Sequence, residues 1–238
     1  MMLFNAPLSN EKADQLIQLL ALPQDGQVLD VGCGRGEFLI RLIEATGARG
    51  LGIDREQSLI SAARASAADR IPAASLEFRG ADMQQESFKE NTFDGALCIG
   101  STHAFGDGDT AYPNTLSQLS HMVRPGGLIL IGEGYWKQPP AAEYLSLIGE
   151  PLGIYRDHAA NIHFAEARGL TPMYATVSNM DEWDHFEWSH KMEIEREAAE
   201  DPVNQALAKK LEWSRIWRNG YLRWGRSTMG FGYYLFRV

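Results

Sequence analysis

The sequence predicts an α/β fold: a doubly wound, mostly parallel seven-stranded sheet with a helical insertion before the last strand. Three observations predict it. Short apolar runs alternate along the chain with segments of helical period, the pattern of a parallel sheet whose crossovers are helices. The first run empties into a glycine-dense turn that opens a helix. The last run, 230–238, is separated from the one before it by a long helical pattern. At 238 residues the chain suits one domain over its whole length, large enough to bury a core without disulfide staples.

In order, a helix over 9–20 precedes the first strand at 27–31. Phe38, Leu39, Leu42 and Ile43 recur at the helical period over 37–46. The second strand is 49–54, followed by a helix over 57–69 that Pro72 ends. The third strand is 75–80, the fourth 93–100, and a helix covers 112–122. RPGG (124–127) reads as a turn that launches the fifth strand, 128–133. A helix over 157–168 precedes the sixth strand, 170–178, and 230–238 closes the sheet. Two segments exceed a minimal sheet domain and are expected as lids or substrate-side insertions. One is 136–155, rich in Pro and Gly. The other is the helical 182–226, which holds Trp183, Trp188, Trp213, Trp217 and Trp224, five of the six tryptophans.

The formal net charge is −9, from 22 basic and 31 acidic residues. That balance argues against a nucleic-acid partner, which calls for a clustered basic surface. Arg215, Arg218, Arg223 and Arg226 form the densest basic group and read as a solvated helix face. The two cysteines, Cys33 and Cys98, lie in apolar strand-end contexts and are expected as reduced thiols. No metal site is expected. The N-terminal residues have neither the basic nor the apolar stretch of a signal peptide. No apolar run approaches the ~20 residues of a membrane-spanning helix. The expectation is a soluble, cytoplasmic protein.

The sharpest signal is VLDVGCGRGEF (28–38). Gly32, Gly34 and Gly36 let the backbone bend tightly and approach a ligand, and the amides at the helix start favour an anion. Dinucleotide loops use the same physics, but with GxGxxG spacing. Asp30, just before the glycines, would repel a pyrophosphate and attract an ammonium group. An amino acid joined to a nucleoside satisfies both observations. Asp54 ends the second strand 24 residues past Asp30, where an acidic residue hydrogen-bonds ribose hydroxyls; its alternative is a helix cap. Asp82 is placed to accept the adenine amino group with Met83 against the ring, or else caps a turn.

These motifs resemble those of the class I S-adenosylmethionine-dependent methyltransferases. VLDVGCGRGEF is similar to their first motif, LGID (51–54) to their second-strand acidic position, and GADM (80–83) to their third motif. FDGALCIGSTHAFG (93–106) resembles their fourth-strand motif and VRPGGLILIGEG (123–134) the region after it. The resemblance covers about 27–134 and implies a Rossmann-like fold. It implies S-adenosylmethionine as methyl donor and S-adenosylhomocysteine as product. It further implies that Asp30, Gly32, Gly34 and Gly36 contact the methionyl part, with Cys33 in the same loop. Asp54, with Arg55 beside it, would hold ribose, and Asp82 and Met83 would meet adenine. Cys98 to Ser101, with Ile99 and Gly100 between them, would border the sulfonium.

Methyl transfer from a sulfonium is an in-line displacement, so the protein's task is to position a nucleophile and exclude water. His103, just beyond the fourth strand, is the candidate general base, a role suited to a side chain type that changes charge near neutral pH. Glu133 and Tyr135 at the fifth-strand tip are candidate substrate contacts, with capping of the next turn as the alternative for Glu133. The aromatics of the insertion have two readings: Leu211, Trp213, Trp217, Leu222 and Trp224 pack mainly on the sheet as core, or the insertion is a lid whose Trp183, His185, Trp188 and His190 line an aromatic substrate wall. The segment from Phe4 to Ser9 is a candidate cover for the cofactor. CIGSTH lacks the Asn/Asp-Pro-Pro stretch of enzymes that methylate adenine or cytosine amino groups, which disfavours nucleic-acid bases. The expected activity is methylation of an N or O atom of a small molecule. The alternatives are a protein methyltransferase, a nicotinamide-dinucleotide oxidoreductase and a cofactor-binding regulator without turnover.

Overall fold

A computed structural model describes residues 3–238. The apolar runs become the strands β1 (Gln27–Val31), β2 (Arg49–Asp54), β3 (Leu76–Gly80), β4 (Phe93–Ile99), β5 (Val123–Trp136), β6 (Thr171–Val177) and β7 (Met229–Arg237). They form one sheet in the order β3-β2-β1-β4-β5-β7-β6. β7 runs antiparallel to both its neighbours and the other pairings are parallel. The chain winds outward from β1 to β3, then returns to lay β4 on the other side of β1. At that reversal the loops after β1 and β4 part and leave a crevice at the carboxyl ends of the strands.

The helices are α1 (Asn10–Leu20), α2 (Glu37–Thr46), α3 (Gln57–Ala67), α4 (Ala111–Met122), α5 (Ala142–Ile148), α6 (His158–Glu166), α7 (Met180–Glu200) and α8 (Gln205–Gly220). Because strand side chains alternate between faces, the sheet carries two cores. Leu16, Ile17 and Leu20 of α1 join Leu39, Leu42 and Ile43 of α2 on one face. Leu116 and Leu119 of α4 join Ile129, Ile131 and Phe236 on the other. Among the described residues, no helix is long and apolar enough to cross a membrane.

Two segments differ from the sequence expectation. RPGG is a bulge inside β5, not a turn before it. The pairing jumps from Phe93↔Val123 to Gly95↔Leu128. The Gly126 amide donates to the Val238 carbonyl (2.8 Å) and the Val238 amide to the Gly127 carbonyl (3.0 Å). Long-range pairing with the last strand therefore overrides the local turn chemistry. The helical stretch is broken at Asp201-Pro202, since Pro disfavours helix in the residue before it. Its first helix starts at Met180, where Asn179 and Glu182 form a capping box. α8 ends in a π turn over Tyr221–Gly225. Arg215 and Arg226 pair with Glu195 and Asp184 of α7. Half of the basic group thus ties the two helices together.

Gly32 marks the point where the two crevice loops touch. It sits at φ +70°, and a Cβ there would lie 2.2 Å from Ser101 Cβ. Gly34 has a similar backbone (φ +55°) but open space around it. Gly34→Ala should cost about 1–2 kcal/mol for the left-handed backbone alone. Gly32→Ala should cost a further ~1–3 kcal/mol of overpacking. Urea denaturation of the two variants checks the difference; equal losses would mean that the loops do not press on each other.

Candidate functional site

The crevice is a cavity of about 460 Å³, within the ~300–1,000 Å³ of small-ligand sites. Beside it lies a smaller one of about 110 Å³, lined by Ile53, Ala81, Asp82 and Met83. Gly32, Asp54, Arg55, Ser101 and His103 border both. The sequence-predicted residues Asp30, Cys33, Gly34, Ile99 and Gly100 line the larger cavity. Gly36 does not; its side faces the Phe78 ring, so it shapes the turn into α2. Cys98 is wholly buried on the far face of β4 and borders neither cavity, because alternation turns it away.

Three carboxylates in the larger cavity differ in what holds them. Asp54 accepts the Gly34 amide on Oδ2 (2.9 Å) and the Glu56 amide on Oδ1 (2.9 Å). It therefore orders the glycine loop and faces the cavities at once, with lone pairs left over. Glu37, which sequence reasoning missed, is paired with Arg41 (2.8 Å) and Arg70 (2.7 Å). Asp30 is only 4% exposed. Burial, and then the nearby Asp54 charge, pushes its pKa up to about 7, and no hydrogen bond opposes the shift. An unpaired buried carboxyl at the cavity wall is a place for a cation. In the smaller cavity, Asp82 caps a 3₁₀ turn through the Gln84 amide (3.0 Å) and Met83 is buried beside it.

His103 stands on the 3₁₀ turn Thr102–Phe105, exposed at the junction of the two cavities. The turn is fixed by Ser101, whose hydroxyl donates to the Gly32 carbonyl (3.3 Å). The predicted substrate contacts are corrected. Glu133 and Tyr135 border neither cavity, because alternation along β5 puts them on the Ile129–Ile131 face. Tyr135 packs there against the His158 ring at 5.3 Å. Trp183 is buried in the core with its ring 6.1 Å from Phe186. Trp188 is 44% exposed and borders neither cavity. α7 instead faces the cavity with His190 and Glu193, one helical turn apart, and Phe186 meets the His190 ring edge-on at 4.9 Å.

The N-terminal segment lines the cavity beside α7. Leu3, Phe4, Asn5, Ala6 and Leu8 line the cavity. The Pro7 carbonyl anchors the segment, accepting from the Ser178 hydroxyl (2.6 Å) and the Tyr233 phenol (3.1 Å). The Ser9 amide donates to Glu182 of α7 (3.1 Å). Among the described residues, no cluster of three or more His, Cys, Asp or Glu side chains is arranged to hold a metal ion.

Comparison with known proteins is consistent with this geometry. A family model described as a methyltransferase domain matches residues 28–127. The uncharacterized protein YjhP of Escherichia coli is 25% identical over 235 residues, 95% of this chain and 90% of that protein. The O-methyltransferase cnsE of Penicillium expansum is 32% identical over 147 residues, 60% of this chain and 52% of that protein. A methyltransferase from Geobacter sulfurreducens, described as SAM-dependent and solved in complex with S-adenosyl-L-homocysteine, superposes with a TM-score of 0.89 at 24% identity. That superposition covers 99% of this chain and 93% of that one. A second such complex, from Thiobacillus denitrificans, gives 0.88 at 22% identity, covering 99% and 94%.

The buried carboxyls set a pH dependence. Asp30 and Glu133 are both raised to about 7 from ordinary values near 4. A carboxyl raised on folding contributes stability that is complete below its unfolded pKa and lost as pH rises through the folded one. The ligand-free protein should therefore lose stability between about pH 4 and pH 7. Asp30→Asn should remove part of that slope. Urea midpoints of both proteins across the window measure it, and parallel curves would clear Asp30 of the effect.

Proposed function

We propose that the chain is a class I S-adenosylmethionine-dependent methyltransferase, and that it transfers the methyl group to an N or O atom of a small molecule; the methyltransferase-domain match over residues 28–127 supports the family. The observation that carries this reading is Asp30, a buried carboxyl without a partner beside a bend of positive-φ glycines. The α-ammonium of S-adenosylmethionine would meet that carboxyl. Its carboxylate would meet the free amides at the start of α2. Asp54 would accept from the ribose hydroxyls with its remaining lone pairs. The smaller cavity, with Met83 and Asp82, would take adenine. A dinucleotide would instead press its pyrophosphate on Asp30.

When bound, the cofactor supplies an activated methyl group with a good leaving group. The chain's own residues supply alignment and exclusion of water. The Ser101 turn forms one wall of the cleft and the N-terminal segment and α7 cover it, leaving limited room for the acceptor. His103, at the junction of the cavities, would take the proton of an acceptor that arrives protonated. The curated relatives include both O- and N-methyltransferases of small molecules, which supports the acceptor class and leaves both atoms in play. The two free thiols support a cytoplasmic location.

Two measurements test this. S-adenosylhomocysteine should bind saturably in isothermal titration calorimetry while NAD does not. Asp30→Asn should weaken that binding by about 10–100-fold, the loss of one charged hydrogen bond. Saturable uptake of NAD with none of S-adenosylhomocysteine would overturn the reading. Incubation with isotopically labelled S-adenosylmethionine and fractionated small-molecule extract should yield a product heavier by one methyl group. His103→Ala should lower turnover of that acceptor by about 10²–10⁴-fold with nucleoside affinity retained; unchanged turnover would remove His103 from the chemistry.

A further inference from the structure

Glu133 is a buried carboxyl that the proposed reaction leaves unused. It is 8% exposed, its Oε1 accepts the Gly134 amide at 2.9 Å, and its Oε2 is buried with no well-formed hydrogen bond. Buried polar atoms are rarely left so, and an exception calls for a cause. The groups that face it are Thr102 on the turn after β4, Cys98 on β4 and Tyr112 on α4. Tyr155 and Arg156 approach from the segment before α6, and Tyr234 from β7. Arg156 is the one permanent charge among them. Its guanidinium lies 4.3 Å over the Phe164 ring rather than against the carboxylate.

Thr102 links this carboxyl to the cleft. The Gly100 amide donates to the Gly132 carbonyl (2.8 Å), so the turn leaves the sheet directly beside Glu133. The Thr102 side chain is buried on the same side of the sheet, within reach of the carboxyl but without a well-formed bond to it. The Thr102 carbonyl accepts from the Thr115 hydroxyl of α4 (3.3 Å), and the Ala104 amide closes the turn on the Ser101 carbonyl (2.9 Å). Its neighbours on either side, Ser101 and His103, line the cavity. We propose that Glu133 is a positioning residue: through Thr102 it sets how Ser101 and His103 project into the cleft.

The carboxyl has two forms to do this with. Neutral, it can donate a hydrogen bond from Oε2 to the Thr102 oxygen and buries no charge. Ionised, it can only accept from the Thr102 hydroxyl and is drawn toward Arg156, which would reverse the polarity of that contact. Burial pushes the pKa up to about 7 against the opposing pull of Thr102, the Gly134 amide and Arg156, so both forms are present at neutral pH. The fold favours the neutral one. Glutamine has the same shape, donates from its amide and cannot ionise, so Glu133→Gln mimics the neutral form throughout.

The test follows the turn directly and then its effect on binding. In the ligand-free protein, the amide resonances of Ser101, Thr102 and His103 are followed by NMR from pH 5.5 to 8.5. They should carry a step with midpoint near 7 that is absent in Glu133→Gln and in Thr102→Val, whichever of the two folds better, and retained in Asp30→Asn. In parallel, the ratio of S-adenosylhomocysteine dissociation constants, wild type over Glu133→Gln, should rise by about threefold or more from pH 6 to pH 8, half a pK unit of coupling. A step that persists in Glu133→Gln, or a ratio that stays constant, overturns the proposal. The inference rests on the methyl-donor reading only for its second readout. A wild-type protein that fails to bind S-adenosylhomocysteine refutes that reading, while the amide titration still decides on Glu133.

Discussion

The cost of burying Asp30 organises the functional end of this molecule. A carboxyl at the tip of a central strand, 4% exposed and unpaired, is tolerated only where something else compensates it. The Gly34 amide, a donor of the same loop, goes to Asp54, and the charge that acts on Asp30 is that of Asp54, of the same sign. What remains to face Asp30 is the cavity itself. Burial and the Asp54 charge work against ionised Asp30, a cost that an ammonium group beside it would relieve.

A pocket of this kind must also be covered, and the cover is built from distant parts of the chain. Pro7, Ser178 and Tyr233 meet at a single carbonyl. Glu182 gathers the Ser9 amide, the Asn179 amide and the Lys12 ammonium. Burial raises the Glu182 pKa, but those donors outweigh it and hold the carboxyl below its ordinary value. The same side chain completes the capping box of α7. Docking of the N-terminal segment and the start of the helix that carries His190 are thus one local event. Phe4 adds an edge-on contact with Phe38 at 6.5 Å, which ties the cover to the helix that opens the glycine loop.

How much of this was legible in the sequence follows from the range of each interaction. The first four strands and the glycine loop are readable because their signals are local: apolar runs, glycines at a bend, and an acidic residue at or just past the tips of the first three strands. The bulge over 124–127 was not, since RPGG carries ordinary turn chemistry and only pairing with the last strand overrides it. Glu133 and Tyr135 were rightly placed near the strand tip, yet a period of two says nothing about which face looks toward the ligand. In α7 the aromatic residues draw attention to Trp183 and Trp188, whereas the residues that line the cleft are His190 and Glu193, with Phe186 set against the His190 ring. Periodicity defines such stripes, but which one turns inward is decided by the sheet they pack on.

Asp30 and Glu133 make an instructive pair, because the same physical cause yields two different tasks. Burial raises both to about 7. Asp30 lies on the cavity face, where a ligand can reach it, so its desolvation becomes selectivity for a positive charge. Glu133 lies on the opposite face under a loop, where no ligand reaches, so its desolvation can act only on neighbouring protein groups. Of those, Thr102 belongs to the turn whose Ser101 and His103 border the cleft. Asp30 on β1 and Glu133 on β5 thus occupy opposite faces of one sheet: the face a carboxyl takes, not its chemistry, would decide whether it meets the cofactor or the turn that shapes its site.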